Sequence, residues 1–345
     1  MSTTEYPEEE SSHLDREDPG FVSFKGRGWK LDTAADAQEM IDTINRCPNV
    51  HTLELEGNTL GIPAAEAISK SLEDKMDLKR ALFKDLFTTR LKTEVPQAVE
   101  FLANGLSLSG CVLKELDLSD NAFGPIGMKA LAPFLTSDSC KNLEVLRLNN
   151  NGLGIGGGTI LSTCLPSLQK LRVLICGRNR LENEASTAIG KSLRSLSTIE
   201  VLEMPQNGIR FPGIQAIADA LQNNPGIRIL NLNDNIFTEK GARAMSSALR
   251  QASSIQVINF GDCLLKTKGG LAVVQAILDS GCESLKELII GGNELGGEQL
   301  SRLLLEFTKL DNSELTIDIS CNNFGRLCDR MVDQFEASNV TLVLE

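Results

Sequence analysis

The feature that most constrains this chain is a short template, L-x-L-x-x-N-x-L, that recurs along most of its length. Clear copies are LDLSDNAF (116–123), LRLNNNGL (146–153), LEMPQNGI (202–209), LNLNDNIF (230–237) and LIIGGNEL (288–295). Positions 151, 179, 207, 235 and 263 lie 28 residues apart, with Cys263 in place of the last Asn. Between Asn58 and Asn121 there is room for one degenerate copy around LKRALFKDLFTTRL. Such a period indicates a stack of similar units.

Each copy reads as one strand, one turn and one helix. The alternating Leu side chains of x-L-x-L point into the interior. The template Asn can bond to backbone groups that the turn leaves unpaired. Apolar residues then recur at helical spacing, as in GIQAIADALQ (213–222). We therefore predict an α/β fold, a leucine-rich-repeat horseshoe of the ribonuclease-inhibitor type, with parallel strands on the concave face and helices on the convex face.

The same repeat predicts the domain organisation. A chain of 345 residues would ordinarily divide into several domains, but a repeat array grows in one dimension without a second core. The N-terminus, MSTTEYPEEESSHLDREDPG, is acidic and cannot support a core. We predict an acidic disordered tail over residues 1–20 and a single solenoid over 21–345 with about ten to eleven repeats.

Charge and composition exclude several classes of function. A net charge of −12 disfavours nucleic acid and anionic membranes as partners. The nine cysteines contain no C-x-x-C, which favours reduced thiols over a zinc or disulfide framework. There are only two histidines and no G-x-x-x-x-G-K-[ST], H-E-x-x-H or G-x-S-x-G motif. We therefore expect no metal site and no self-contained catalytic centre.

A glycine-rich stretch, NGLGIGGGT (151–159), contains G-x-G-x-x-G after a strand-like segment. A dinucleotide site would also need an acidic residue near the end of the next strand, and that strand, VLICGRN, ends near Arg178 instead. Other copies place Gly or Pro at the same points, as in FGPIGMKAL. We interpret the motif as a repeat junction.

Candidate functional residues are those that the template does not require. Arg90 and Lys92 follow the degenerate strand in an otherwise acidic protein. In LNNNGLG one of Asn149 and Asn150 must project from the rim, since Asn151 is the template residue. The rim of later copies carries Arg178, Gln206, Asn233, Asp234 and Asp262. A structural turn role is predicted for Asn58, Asn121, Asn151, Asn179, Asn207, Asn235, Cys263 and Asn293.

The segments around the template are more specific than the template itself. SFKGRGWKLDTAADA, FTTRLKTEVPQA, LNNNGLGIGGG, CGRNRLEN and LNDNIFTEKGA closely resemble the GTPase-activating proteins for Ran, the nuclear-transport GTPase. The similarity runs in order from about Phe24 to near the C-terminus. The resemblance implies a horseshoe that docks one rim on the switch regions of GTP-loaded Ran and accelerates GTP hydrolysis.

The resemblance also implies a division of roles. No arginine finger is used in this family, and the match to its NNG motif makes Asn150 the residue that orients the catalytic glutamine of the GTPase. Arg90 matches the Arg of the family's FTxR loop, and with Lys92 it would act in docking or in pairing with acidic groups. Asp234 is placed at the same interface by analogy. Asn149, Arg178, Asn233 and Asp262 complete the predicted partner-binding set.

Further expectations concern partners and location. The resemblance implies GTP-form Ran as the partner, together with a Ran-binding protein, and neither nucleic acid nor membrane. The chain would be no enzyme and would need no cofactor of its own, since the partner GTPase supplies the hydrolytic site, the GTP and the magnesium. The expected location is the cytoplasm, including the cytoplasmic side of the nuclear envelope.

One alternative stays open from the residues alone. A non-catalytic leucine-rich-repeat scaffold or inhibitor would bind along the concave face, and the acidic charge suits it. Aromatic hot spots usually mark such surfaces. Only 4% of the residues here are aromatic, which favours the GTPase activator.

Overall fold

The computed structural model describes residues 18–281, 283–310, 312 and 314–344. The chain divides into two compact units, Met1–Val145 and Leu146–Glu345. Most of the tail predicted over residues 1–20 lies outside the described residues, and the single solenoid stays a prediction. None of the helices in the described ranges is both long and apolar enough to cross a lipid bilayer.

In the first unit, strands alternate with helices. Its main sheet is parallel and pairs β1 with β3, β3 with β5 and β5 with β6, while β2 and β4 form a separate parallel pair. The bounds are β1 Phe21–Ser23, β2 Lys30–Leu31, α1 Gln38–Arg46, β3 Thr52–Glu54, β4 Thr59–Leu60, α2 Ile62–Leu72, β5 Arg80–Leu82, α3 Val95–Leu108, β6 Glu115–Asp117 and α4 Gly124–Leu135. Strand β5 belongs to the degenerate copy, so this copy forms a full strand of the sheet.

The second unit repeats the same alternation, and strand β7 (Val145–Arg147) lies at the division between the units. Its parallel sheet runs from β8 to β14 in chain order. The bounds are α5 Gly154–Cys164, β8 Val173–Ile175, α6 Glu182–Leu193, β9 Val201–Glu203, α7 Phe211–Leu221, β10 Ile229–Asn231, α8 Thr238–Leu249, β11 Val257–Asn259, α9 Lys266–Asp279, β12 Glu287–Ile289, α10 Glu298–Leu304, β13 Thr316–Asp318, α11 Leu327–Glu336 and β14 Thr341–Val343.

The 28-residue period of the sequence becomes the register of the sheet. Leu202 of β9 pairs with Leu230 of β10, and Leu230 pairs with Ile258 of β11. All three side chains are fully buried. The predicted α/β leucine-rich-repeat fold class, with parallel strands that alternate with helices, is therefore confirmed.

Helix α7 shows why these segments become helices. Pro212 lies in its first turn, where the missing N–H costs no hydrogen bond. Ile214, Ile217 and Leu221 recur at helical spacing and are buried. Burial of one such side chain stabilises the fold by about 1.5–3 kcal/mol, so the stack is held by many similar aliphatic contacts.

The template Asn links the turns of successive repeats. Asn207 is buried, and its Nδ2 donates to the carbonyls of Cys176 (3.0 Å) and Met204 (3.1 Å). Its Oδ1 accepts the N–H of Asn179 (2.9 Å), one repeat earlier. The other predicted template asparagines are equally buried: Asn58, Asn121, Asn151, Asn179, Asn235 and Asn293.

Two template positions, Leu86 and Asn322, lie outside the predicted set, and the predicted Cys263 carries a thiol in place of an amide. Leu86 fills the position in the degenerate copy, where its N–H donates to Asn121 Oδ1 (2.7 Å). Asn322, which the prediction omitted, donates to the carbonyls of Ile290 and Ile319 as the other template residues do. Cys263 donates its thiol to the carbonyl of Leu232 (3.2 Å), and burial raises its pKa to about 12. A neutral thiol thus takes the place of the amide.

Candidate functional site

In the second unit the residue before each template position has a left-handed backbone. It is Asn150 (φ 52°), Arg178 (φ 54°), Gln206 (φ 54°), Asp234 (φ 52°) and Asp262 (φ 53°) in five successive repeats. We call these five residues the edge row. All five are exposed. Left-handed backbone disfavours most residues with a side chain, so the fold must hold each of these turns in place.

Backbone hydrogen bonds to the following repeat stabilise these left-handed turns. The N–H of Asn150 donates to the carbonyl of Gly177, and the N–H of Asp234 donates to that of Gly261, each over 2.9 Å. Arg178 makes the equivalent bond at the same length. The edge row is therefore set by the turn of the following repeat, and its side chains project at a regular interval.

Side-chain hydrogen bonds join part of the edge row. Arg178 donates from Nε to Gln206 Oε1 (2.6 Å), and Gln206 donates from Nε2 to Asp234 Oδ2 (3.0 Å). A guanidinium, an amide and a carboxylate thus span three repeats. Asp262 lies against Gly292, where a Cβ would collide with its carboxylate. This glycine leaves room for the last carboxylate of the row.

The three consecutive asparagines have three different environments. Asn151 is buried, Asn150 is exposed, and Asn149 is partly buried with its Oδ1 accepting the N–H of Gly177 (2.6 Å). Asn233 occupies the position of Asn149 three repeats later, and its Nδ2 donates to the carbonyl of Gly261 (2.9 Å). The amides at 149 and 233 therefore bond to the neighbouring turn, and the residue at 150 is exposed.

The glycine-rich stretch beside Asn150 meets the geometric needs of the repeat. Gly152 and Gly154 have φ of 63° and 59°, a conformation that glycine adopts without strain. A Cβ at Gly158 would lie 2.6 Å from atoms of Ala185 and Leu181, so α5 packs closely on α6 there. The structure thus gives these glycines roles in the turn and in helix packing.

The two candidate cations of the first unit, Arg90 and Lys92, differ in burial and in their partners. The Arg90 side chain is only 8% exposed. It pairs with Asp32, donates to Thr59 Oγ1 (2.9 Å) and to the carbonyl of Thr59 (2.8 Å), and thereby fastens its loop to β4. Its guanidinium lowers the pKa of the Asp32 carboxyl. Lys92 is exposed and has no ion-pair partner within the described ranges.

Across the described part of the chain, no three His, Cys, Asp or Glu residues are grouped to hold a metal ion. The edge row offers amide, guanidinium and carboxylate groups at fixed spacing.

Asp120 and Cys321 have the same left-handed position in other repeats and were not predicted. Their place directly before a template Asn is the signal that would have found them.

Comparisons with known proteins concern the repeat and the family resemblance. Residues 109–132 match the family described as Leucine Rich repeat. Ran GTPase-activating protein 2 of Caenorhabditis elegans is 51% identical over 151 residues. Ran GTPase-activating protein 1 of Xenopus laevis is 48% identical over 151 residues, and its Saccharomyces cerevisiae namesake is 31% identical over 153. The resemblance to Ran GTPase-activating proteins is therefore confirmed.

The extent of these matches is limited. They cover 43–44% of this chain, and 16%, 26% and 37% respectively of the worm, frog and yeast proteins. The chain thus aligns with well under two thirds of each of these relatives.

Proposed function

We propose that this chain activates the GTPase Ran: it binds the GTP-loaded form through the edge row and accelerates hydrolysis of the bound GTP. The observation that carries this proposal is the 51% identity, over 151 residues, to a protein named Ran GTPase-activating protein 2. The hydrolytic site, the GTP and the magnesium belong to the GTPase. The chain completes that site without being an enzyme itself.

Asn150 is the residue proposed to act on the catalytic glutamine of the GTPase. A primary amide has donors and an acceptor, so it can bond both ends of a glutamine side chain and hold it against the attacking water. Two features support this role: the side chain of Asn150 is exposed, and its backbone is fixed to Gly177. A fixed backbone means that little conformational entropy is lost when the glutamine binds.

Arg90 is proposed to support its loop rather than to enter the GTPase site. An arginine finger must reach the transferring phosphoryl group with a guanidinium free to stabilise its charge. To serve in this way, Arg90 would have to leave Asp32 and both oxygens of Thr59. Positioning of the glutamine by Asn150 then replaces the finger. Full activation of a GTPase approaches about 10⁵-fold, or about 7 kcal/mol of barrier.

The remaining polar residues are proposed to dock the GTPase. Lys92 is exposed and can pair with a carboxylate of the partner. Arg178, Asp234 and Asp262 present both signs of charge along the edge row. Charges of this kind steer association and fix orientation more than they raise affinity. Their loss should therefore slow binding, mainly at low ionic strength.

Single-turnover hydrolysis by GTP-loaded Ran tests the proposal. The full chain, added in excess, should raise the hydrolysis rate by several orders of magnitude. A scaffold or inhibitor would bind Ran without raising the rate. If the rate is unchanged at concentrations where binding is saturated, the proposal is wrong.

A further inference from the structure

A groove of about 1420 Å³ opens on the helix layer of the second unit, away from the edge row. Helices α9 and α10 form its walls, with α8 at one border. Helix α9 has 14 residues, whereas α10 has 7 and begins only after Gly296 and Gly297. A 3₁₀-helix over Leu305–Lys309 follows α10 directly, and residues of both segments line the groove together with one flank of α9.

That flank of α9 is apolar where the same flank of earlier helices is polar. Leu271 and Leu278 line the groove seven residues apart, on one stripe of the helix. One period earlier α8 carries Arg243 and Arg250 at these positions. Two periods earlier the positions are Gln215 and Gln222. Leu303 and Leu310 line the groove as well. Among these three successive repeats, leucine takes both positions only in the repeat of α9.

The charge around this apolar stripe is opposite in sign to that of the whole chain. Five basic and three acidic residues line the groove, although the chain has a net charge of −12. Four of the basic residues pair with carboxylates of the chain: Arg243 with Glu239, Arg250 with Asp279, Arg302 with Glu298 and Lys309 with Glu306. Such exposed pairs contribute about 0.2–1 kcal/mol each, so an incoming carboxylate can replace them.

Lys268 adds a basic group without such a pair. It is exposed at the mouth of the groove and has no ion-pair partner within the described ranges. Lys240 holds the same position one period earlier and does not line the groove. The groove therefore presents an apolar stripe bordered by cationic side chains. Such a surface complements a helix whose apolar face is bordered by Glu or Asp side chains.

We propose that this groove binds an amphipathic acidic helix of a partner protein, of about the length of α9. Its apolar face contacts Leu271, Leu278 and Leu303, and its flanking Glu or Asp side chains pair with Lys268 and Arg302. The surface is separate from the edge row, so both can be occupied in one molecule.

A fluorescent peptide of designed sequence tests the proposal with the full chain. The probe has about 16 residues, with Leu at helical spacing on one face and Glu on its flanks. Fluorescence anisotropy should show that the wild type binds the peptide saturably. The double variant Leu271→Arg/Leu278→Arg places the arginines of the α8 repeat at the two leucine positions, and it should bind at least about tenfold more weakly. Lys268→Glu should also weaken binding, whereas the matched Lys240→Glu should not.

Several results would overturn the proposal. One is equal binding by the wild type and Leu271→Arg/Leu278→Arg, with circular dichroism showing that both are folded. Another is equal binding of a peptide with Lys in place of Glu. Self-association of the wild type in sedimentation, abolished by the same double substitution, would identify a second copy as the occupant instead. Stimulation of Ran should be unchanged in Lys268→Glu, so this test stands apart from the proposed function.

Discussion

The backbone N–H of Asn150 donates to the carbonyl oxygen of Gly177, 2.9 Å away in the next repeat. The same bond joins Asp234 to Gly261 and Asp262 to Gly291. The chain therefore tolerates different side chains at this position while the backbone keeps one conformation. Asn150 can be altered there without altering the turn that carries it.

Asn150→Asp should abolish most of the stimulation of Ran while leaving the fold intact. Asp occupies the same left-handed position at 234 and 262, so the new residue fits the backbone. It cannot donate a hydrogen bond to the glutamine carbonyl. We expect the single-turnover rate at saturation to fall about 100-fold, a typical effect of misplacing a reacting group. Asn150→Ala should lose a similar part of the rate.

Cys321→Gly is the matched control for this substitution. Cys321 has the same backbone conformation (φ 54°), and Gly292 shows that glycine fits there. The Cys321→Gly variant should stimulate single-turnover GTP hydrolysis at the wild-type rate. Equal rates for Asn150→Asp and the wild type would exclude the assigned role of Asn150.

Arg90→Ala should lower the stability of the fold, whereas Lys92→Ala should affect docking of the partner and leave stability almost unchanged. Loss of the Arg90 guanidinium removes the donor to two partly buried oxygens of Thr59 and the ion pair with Asp32. We expect this to lower the free energy of unfolding by about 2 kcal/mol. Arg90→Lys should recover little of this, because an ammonium lacks the forked donor geometry. Lys92→Ala should change stability by less than about 0.5 kcal/mol, since the side chain is exposed. Urea unfolding measures both.

The same variants also test for an arginine finger. Lys92→Ala should weaken Ran binding, more at low salt than at high salt, with little change in the saturated rate. Arg90→Ala should retain much of the saturated rate when it is assayed below its unfolding temperature. A folded Arg90→Ala without any stimulation at saturation would restore the finger hypothesis.

The role of the template amide can be tested by removing it at Asn207 and by introducing it at Cys263. Asn207→Ala leaves the N–H of Asn179 without its acceptor. It also removes one amide donor from the carbonyls of Cys176 and Met204, which keep the amides of Asn179 and Asn235. We therefore expect a loss of about 2 kcal/mol. Cys263→Asn restores the usual amide and should be neutral or stabilise the fold by up to about 1 kcal/mol. Chemical denaturation of both proteins gives the comparison. A larger loss for Cys263→Asn than for Asn207→Ala would show that the thiol site cannot hold an amide.

Glu200 makes stability depend on acid pH. Arg172 donates to both its carboxylate oxygens (2.7 and 2.8 Å), and this bond lowers the pKa of Glu200 below its usual 4.5. A lowered pKa in the folded state means that the stabilisation is present above pH 4.5 and is lost as the pH falls through the lowered value. Glu200→Gln should therefore be less stable at pH 7, by about 0.5–1 kcal/mol. In thermal unfolding the difference should shrink steadily as the pH is lowered below 4.5.

Much of the fold follows from the sequence because its determinants repeat locally. A strand residue such as Leu202 needs only an alternating pattern, and Asn207 needs only a turn whose backbone groups require an amide. Each unit has nearly the same neighbours as the next, so a 28-residue period predicts strands, helices and register together. Even the degenerate copy, with Leu86 in place of Asn, forms its strand where the spacing requires it.

The tertiary structure decided what the period leaves free. It leaves Asn150 exposed and turns the side chain of Asn149 onto Gly177 of the following repeat. It also buries Arg90 against Asp32, 58 residues earlier in the chain. The open groove beside α9 is lined by side chains from three successive repeats. These features rest on contacts between distant residues that occur once, and a periodic pattern carries no information about such contacts.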